Sequence, residues 1–477
     1  MSELNEKCAV FGVYGEHMDV SRLTFFGLFA LQHRGQESSG MAVSDGVKIS
    51  SHKGVGFVSH VFTEEVIDSL KGYSAVGHNR YSTCKDSSLD HAHPIIINNN
   101  SLALVHNGNL PSTKLLKEFL RSKNVLVTDD FSDSRLMTEA IGWHMVQGDT
   151  LPQAVQNSFP LFTGSFSLLV MDNNTMIAVR DSYGIRPLSL ARLNGGFVFS
   201  SETCAFSPIG ATFIREVLPG EMVIVDKAGL RSVQVTKSTS KLDIFEFIYF
   251  ARHDSNLLGK SVYEVRKNFG KNLAKECQIK ADVVIAVPET SLPMAMGYSR
   301  ESGIPYEMGL TKNRYIQRTF IQPDQRLRQQ GVKMKLTPLP EVLKDQRVIV
   351  IDDSIVRGTT SRQVVKMLFD AGAREVHFMV SSPPIRFPDF YGIDIPNQND
   401  LLAFKKDIEE MRVFLGATSL HFLSLQGVID ATGIPQSEFN TSCFTGEYPI
   451  DLKERALEFM HASSIPQPLV EQKIVPM

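Results

Sequence analysis

The sequence predicts an α+β layered domain followed by an α/β domain with a parallel sheet. Three observations carry that expectation. The first half is dense in short β-prone runs punctuated by Gly, Asn and Asp, with stretches at helical spacing between some of them. The second half changes to continuous apolar runs alternating with helical stretches, the rhythm of βαβ units. Between the halves lies Lys227 to Lys241, a polar stretch rich in Ser, Thr and Lys, and the boundary is placed near its end.

In the first half, strands are expected at Ala9 to Tyr14, Ser74 to His78, Leu102 to His106, Phe166 to Met171, Met176 to Arg180 and Phe197 to Ser200. Helices are expected at Leu110 to Ser122 and Ser134 to Gln147, where apolar residues recur with the helical period. Pro219-Gly220-Glu221 turns the chain into a strand at Met222 to Val225. In the second half, Asp282 to Val287, Arg347 to Ile351 and Glu375 to Val380 read as buried parallel strands, with another strand near Pro305. Helices are expected around Pro293 to Glu301 and at Thr359 to Ala371, the latter closed by Gly372. Leu452 to His461 reads as a last helix before a loosely held tail.

A chain of 477 residues is too long for one ordinary domain, so two are expected. A hydrophobic share of 43% and a charged share of 21% suit a globular chain. The net charge of −3 leaves no basic excess to neutralise a polymer of phosphates, which argues against a nucleic-acid partner. The start, Met-Ser-Glu-Leu-Asn-Glu-Lys, has no apolar core, and no apolar run reaches membrane-spanning length. Cys8, Cys84, Cys204, Cys277 and Cys443 are scattered and odd in number, which argues against a disulfide framework or zinc site. The chain therefore reads as cytoplasmic, with no membrane partner.

Val348 to Ser361 reads Val-Ile-Val-Ile-Asp-Asp-Ser-Ile-Val-Arg-Gly-Thr-Thr-Ser. Asp352 and Asp353 sit at the carboxyl end of a buried strand, where ligands bind in open α/β sheets. Adjacent carboxylates are costly unless a cation or hydroxyl groups share them. Ser354, Arg357, Gly358, Thr359 and Thr360 then lead into a helix whose first N–H groups suit a phosphate. Read separately, the Asp-Asp pair is a solvated turn and the Thr-Thr-Ser run an N-cap, but neither explains the combination. No Walker A pattern occurs. The stretch resembles the phosphoribosyl pyrophosphate (PRPP) loop of type I phosphoribosyltransferases. In that resemblance Val287-Pro288-Glu289-Thr290-Ser291 is the loop that meets pyrophosphate, with Thr290 supplying a metal-ligating oxygen. The cationic run from Lys312 to Arg328 is expected to be a flap that closes over an anionic substrate.

The first half carries Cys8-Ala-Val-Phe-Gly, His33-Arg34-Gly35-Gln36, His78-Asn79-Arg80-Tyr81 and His106-Asn107-Gly108-Asn109 in that order. The ordered set resembles the glutamine amidotransferase domain of the N-terminal-nucleophile class, which implies an αββα sandwich. Amide hydrolysis needs a nucleophile, a base and an oxyanion hole. The resemblance makes Cys8 the nucleophile, with its own α-amine as base. Asn107 and the Gly108 N–H then face the oxyanion, Arg80 takes the glutamine carboxylate and Asp133 its amino group. Asp133 could equally be a helix N-cap. Cys8 is not the first residue, so cleavage between Lys7 and Cys8 is expected. Where this chain has Ala9, relatives more often have Gly.

The two halves in this order resemble the glutamine PRPP amidotransferases, from Cys8 to about Pro449. Arg186-Pro187-Leu188, Ser201-Glu202-Thr203 and Cys443-Phe444-Thr445-Gly446 add to the resemblance. It implies four segments: residues 1–7 as a propeptide, 8–240 as the amidotransferase domain, 241–449 as the phosphoribosyltransferase domain, and 450–477 as a C-terminal helix and tail. It also implies formation of 5-phosphoribosylamine from glutamine and PRPP, one Mg²⁺ per subunit held through PRPP by Thr290, Asp352 and Asp353, purine-nucleotide inhibition and a homotetramer. Many relatives hold a four-iron cluster on four cysteines. Those positions are Asp243, Asp389, Ser437 and Asn440 here, so no iron–sulfur cluster is expected. The rivals are another glutamine amidotransferase sharing only the first half, and a PRPP- or nucleotide-sensing regulator with relic sites.

Overall fold

The structure is a computed structural model, and it describes residues 8–81, 89–313, 335–391 and 397–455. The first half stacks two antiparallel sheets. Seven strands run in the order Thr212–Glu216, Ser189–Leu193, Gly196–Ser200, Ala9–Tyr14, Ser74–Arg80, Ser38–Ser44, Ile49–Val55. Six more run Gly229–Gln234, Glu221–Asp226, Met176–Arg180, Thr163–Met171, Leu102–Ser112, Ile95–Ile97. Val10, Val76, Val105, Leu169 and Phe199 fill the layer between the sheets. The helix Val20–Ala30 covers the outer face of the first sheet through Leu28 against Phe11 and Ala75. The helices Asp133–Val146 and Leu151–Ser158 cover the second through Leu136, Ile141 and Val155. This is the αββα sandwich, and each strand alternates its side chains between a helix layer and the central layer.

The second half holds a parallel sheet in the order Val283–Ala286, Arg347–Asp352, Glu375–Val380, Ser419–Phe422. Strands buried on both faces need no alternation, which is why they read as continuous apolar runs. Helices Val262–Glu276 and Leu292–Ser302 cover one face, and Thr359–Asp370 and Ile408–Leu415 the other. This is the parallel-sheet phosphoribosyltransferase architecture.

Several elements differ from expectation. Leu110–Ser112 continues the strand Leu102–Ser112, paired with Thr163–Met171 through an irregular register, and the helix starts only at Lys114. Pairing with a neighbouring strand overrides helical spacing there. The polar stretch after Lys227 contains the edge strand Gly229–Gln234. Its mostly exposed residues give an edge strand little apolar signature. Of the last expected helix, the described residues show a single short turn at Lys453–Arg455. The expected propeptide, Cys84 and flap residues 314–328 lie outside the described residues. Among the described residues, no helix is long and apolar enough to cross a membrane.

Candidate active sites

The first site forms where the two sheets of the sandwich meet at one end. Ala9 pairs with Asn79 in an antiparallel ladder, so extending the register by one sets the half-buried Cys8 beside Arg80. Arg80 closes its strand and is paired with Ser38 on the other side. His78 donates its Nε2–H to the His106 carbonyl at 2.9 Å, tying this strand to the other sheet one residue before Asn107. Asn107 is buried, and its Nδ2 has no hydrogen-bond partner among the described residues. Gly108 has φ +150°, and a Cβ there would lie 2.1 Å from the Ser165 carbonyl oxygen. Cys8, Arg80, Asn107 and Gly108 are therefore brought to one region.

Asp133 is not the N-cap of its helix. Ser132 fills that role, accepting from the Arg135 N–H at 3.2 Å. The Asp133 carboxylate instead accepts from the Leu110 N–H at 3.1 Å and the Ser134 N–H at 2.6 Å. It also approaches His106 Nδ1 at 3.8 Å, which places it just past the His106–Gly108 segment. Behind this site, His78, His93 and His106 are buried and uncharged. Burial pushes His78 down to about 3 and holds His93 well below the ordinary histidine range.

The second site lies at the carboxyl end of the parallel sheet. Asp352 ends its strand, and Asp353 follows, its N–H donating to Asp352 Oδ1 at 2.9 Å. Both carboxylates are buried. Burial raises the Asp352 carboxyl, and burial together with the Asp352 charge pushes Asp353 up to about 7. Ser354 donates its hydroxyl to Asp353 Oδ1 at 2.6 Å. Gly358, at φ +75°, turns the chain into the helix that begins with Thr359 and Thr360. Arg357 flanks the turn and pairs with Asp400 at 3.6 Å. The loop bearing Thr290 follows the adjacent strand, where the Val287 N–H donates to the Ile351 carbonyl at 2.9 Å. The Ser291 hydroxyl lies beside the Asp352 carboxylate. Lys312 ends the strand Leu310–Lys312 with its Nζ 4.0 Å from Glu289 of that loop.

Two buried adjacent carboxylates, one of which raises the other's proton affinity, fit a divalent cation, which would relieve their repulsion. Among the described residues, no group of three or more His, Cys, Asp and Glu could hold a metal ion. The positions corresponding to iron–sulfur ligands do not fit a cluster. Asp243, Asp389 and Asn440 meet in a buried corner, with Asn440 Nδ2 3.4 Å from Asp389, while Ser437 is exposed. Carboxylates and an amide are hard donors, unsuited to holding iron–sulfur iron.

Comparison with known proteins agrees with both halves. A model of the glutamine amidotransferase domain matches residues 78–208, and one of the phosphoribosyl transferase domain matches 256–382. The amidophosphoribosyltransferase of Mycobacterium tuberculosis is 44% identical over 464 residues, covering 95% of this chain and 88% of its own. That of Bacillus subtilis is 43% identical over 460 residues, covering 94% and 95%. This chain belongs to the amidophosphoribosyltransferase family. The solved glutamine PRPP amidotransferase from Bacillus subtilis, complexed with ADP and GMP, superposes with a TM-score of 0.87 at 42% identity, covering 94% of this chain and 98% of that one. As an amidophosphoribosyltransferase, the chain converts glutamine, PRPP and water to 5-phosphoribosylamine, glutamate and pyrophosphate, the first step of purine biosynthesis. The relic-regulator alternative is not favoured.

Sequence reasoning missed a third group of functional interest. Arg34, Arg186, Glu202 and Glu246 are all buried between the halves. The first three lie in motifs noted only for their resemblance. Glu246 had no local signal.

Proposed function

We propose that the two half-reactions run at the two sites just described, with the following roles. Cys8 attacks the glutamine side-chain carbonyl, and its α-amine, freed by removal of residues 1–7, takes the thiol proton. An α-amine has a reference pKa of about 7.7–8.0, suited to a base near neutrality. Asn107 Nδ2 and the Gly108 N–H donate to the oxyanion that forms as the thioester builds. Arg80 pairs with the substrate carboxylate and Asp133 with its amino group. Collapse of the intermediate releases ammonia and leaves the glutamyl group on Cys8 for hydrolysis.

At the second site, Arg357, Gly358, Thr359, Thr360 and Ser354 hold the phosphate monoester of PRPP, and Lys312 lies over its pyrophosphate. Asp352, Asp353 and Thr290 would hold Mg²⁺ through PRPP, and that ion supplies charge neutralisation for the departing pyrophosphate. Ammonia attacks C1 of the ribose as pyrophosphate leaves. Because free ammonia is mostly ammonium near neutral pH, an enclosed passage between the sites keeps the nucleophile unprotonated. No iron–sulfur cluster takes part. The active form is a cytoplasmic homotetramer restrained by purine nucleotides, in keeping with the ADP and GMP of the Bacillus subtilis relative.

The observation that carries the glutaminase reading is the Asn107 amide, buried and without a partner among the described residues. Leaving such a donor unsatisfied costs about 1–3 kcal/mol, and an oxyanion on Cys8 would accept from it. The test is pyrophosphate release from PRPP with glutamine or ammonium as nitrogen source. Cys8→Ala should abolish the glutamine reaction and keep the ammonium reaction. No release by the unaltered chain from either source would overturn the reading. Full glutaminase activity in protein whose intact mass retains residues 1–7 would overturn the role of the α-amine.

A further inference from the structure

The strand Ile95–Ile97 stops short of the first site. It pairs with Leu102–Ser112 in a register that sets Ile95 opposite Leu104, so continuing it would set His93 opposite His106. A backbone strand at that place would exchange two hydrogen bonds with His106. Two imidazoles do so instead. His93 Nδ1 accepts from the His106 N–H at 3.3 Å, and His78 Nε2 donates to the His106 carbonyl at 2.9 Å. That carbonyl belongs to the peptide joining His106 to Asn107. Both polar groups of the residue before Asn107 are thus held by side chains from two separate elements.

The surroundings are shaped for this pair. The two rings are buried, with their centroids 4.3 Å apart. Gly40 pairs with His78 on one side and with Lys53 on the other. A Cβ at Gly40 would lie 2.1 Å from the His93 carbonyl oxygen, so the absence of a side chain lets the His93 segment lie across this row. Lys53 Nζ fastens the same segment by donating to the Ala92 carbonyl at 2.8 Å. The bonds also fix the protons. His78 donates from Nε2, and its bare Nδ1 has no hydrogen-bond partner among the described residues. His93 accepts at Nδ1, so its proton sits on Nε2. Both rings therefore act as neutral imidazoles.

We propose that His93 and His78 are positioning residues for amide hydrolysis, holding the His106 backbone in place of a strand and so setting the direction of the Asn107 amide and the Gly108 N–H. This role rests on the oxyanion assignment of those two groups above. His106 and Gly108 are two residues apart on one strand, so their N–H groups point to the same side. A strand continued in register would reach Gly108 as well and take its N–H. Imidazoles satisfy His106 and leave the Gly108 N–H for a substrate oxygen. Neither histidine is placed against glutamine, and both act through His106.

The experiment compares His93→Leu with His93→Asn, each assayed with glutamine and with ammonium in the presence of Mg·PRPP. Asparagine places Oδ1 near the position of Nδ1 and keeps an acceptor for the His106 N–H, whereas leucine keeps none. His93→Leu should lower kcat with glutamine about tenfold or more, because small misplacements of reacting groups are costly. The KM for glutamine and the ammonium rate should be unchanged, the pattern of an interaction made only in the transition state. His93→Asn should recover most of the lost kcat. Should His93→Leu lose the ammonium reaction through misfolding, His78→Leu and His78→Gln make the same comparison, the Gln side-chain amide keeping a donor for the His106 carbonyl. A leucine variant with unchanged kcat overturns the proposal, as does a polar variant no better than the leucine one, or a loss confined to KM. Asn107→Ala is measured alongside. If that change leaves kcat with glutamine unaltered, the oxyanion assignment itself fails.

Discussion

Arg34 is completely buried and yet spends its Nε on the backbone carbonyl of Cys8, 3.0 Å away. A buried guanidinium is tolerated only when opposing charges and acceptors satisfy it. Glu202 and Glu246 supply those charges. Arg34→Met removes the cation that the two buried carboxylates share, leaving Glu246 with Arg186 and Glu202 with His33 as their remaining side-chain ion pairs. That should destabilise the chain by about 3–5 kcal/mol, measured by denaturant unfolding.

Gly108 is pinned between the Ser165 carbonyl and the His106 ring, so a methyl group has no room. Gly108→Ala must displace the backbone N–H proposed to face the oxyanion. Glutamine-dependent turnover should fall about 10²–10³-fold, as for loss of an oxyanion donor. The ammonium-dependent rate should stay close to its original value. Steady-state kinetics with each nitrogen source would check it.

His78 predicts a pH effect on stability. Its folded pKa is lowered by burial from 6.5 to about 3. Above pH 6.5 both folded and unfolded chains leave it neutral, and the stabilising preference for the neutral form is fully present. Between 6.5 and 3 the unfolded chain takes up a proton that the folded chain does not, so stability is lost as pH falls. The slope approaches ~1.4 kcal/mol per pH unit for each such histidine. His78→Asn should flatten the decline of the unfolding midpoint between pH 6.5 and 4. An unaltered slope would count against this account.

Gly270 and Gly297 let the helices Val262–Glu276 and Leu292–Ser302 touch backbone to backbone. A Cβ at Gly270 would lie 1.7 Å from the Met294 carbonyl oxygen, and one at Gly297 would lie 1.9 Å from that of Lys267. Gly270→Ala must force the helices apart, at a cost of about 1–3 kcal/mol. Thermal unfolding should show the loss, and an unchanged midpoint would refute the packing argument.

Much of the molecule is written locally. Apolar runs such as Val348–Ile351 announce a doubly covered parallel strand because every residue is buried, and Asp352–Thr360 stands out as a candidate phosphate site because its parts are contiguous. The same holds for the short motifs around Cys8, Arg80 and Asn107. Less legible were the strands Ser38–Ser44 and Ser419–Phe422, the extension of Leu102–Ser112, and the cap at Ser132 in place of Asp133. Those outcomes depend on neighbours that pair or pack only once the chain has folded.

Residue order alone pointed to the proposed cysteine nucleophile and phosphoribosyl loop, because each is a short motif whose chemistry is local. Only the tertiary structure decided that Arg34, 212 residues from Glu246, would clamp it while also holding Cys8. A charge pair of that separation leaves no periodicity or spacing to read. It exists because folding buries both groups together, and burial makes each one's pairing obligatory.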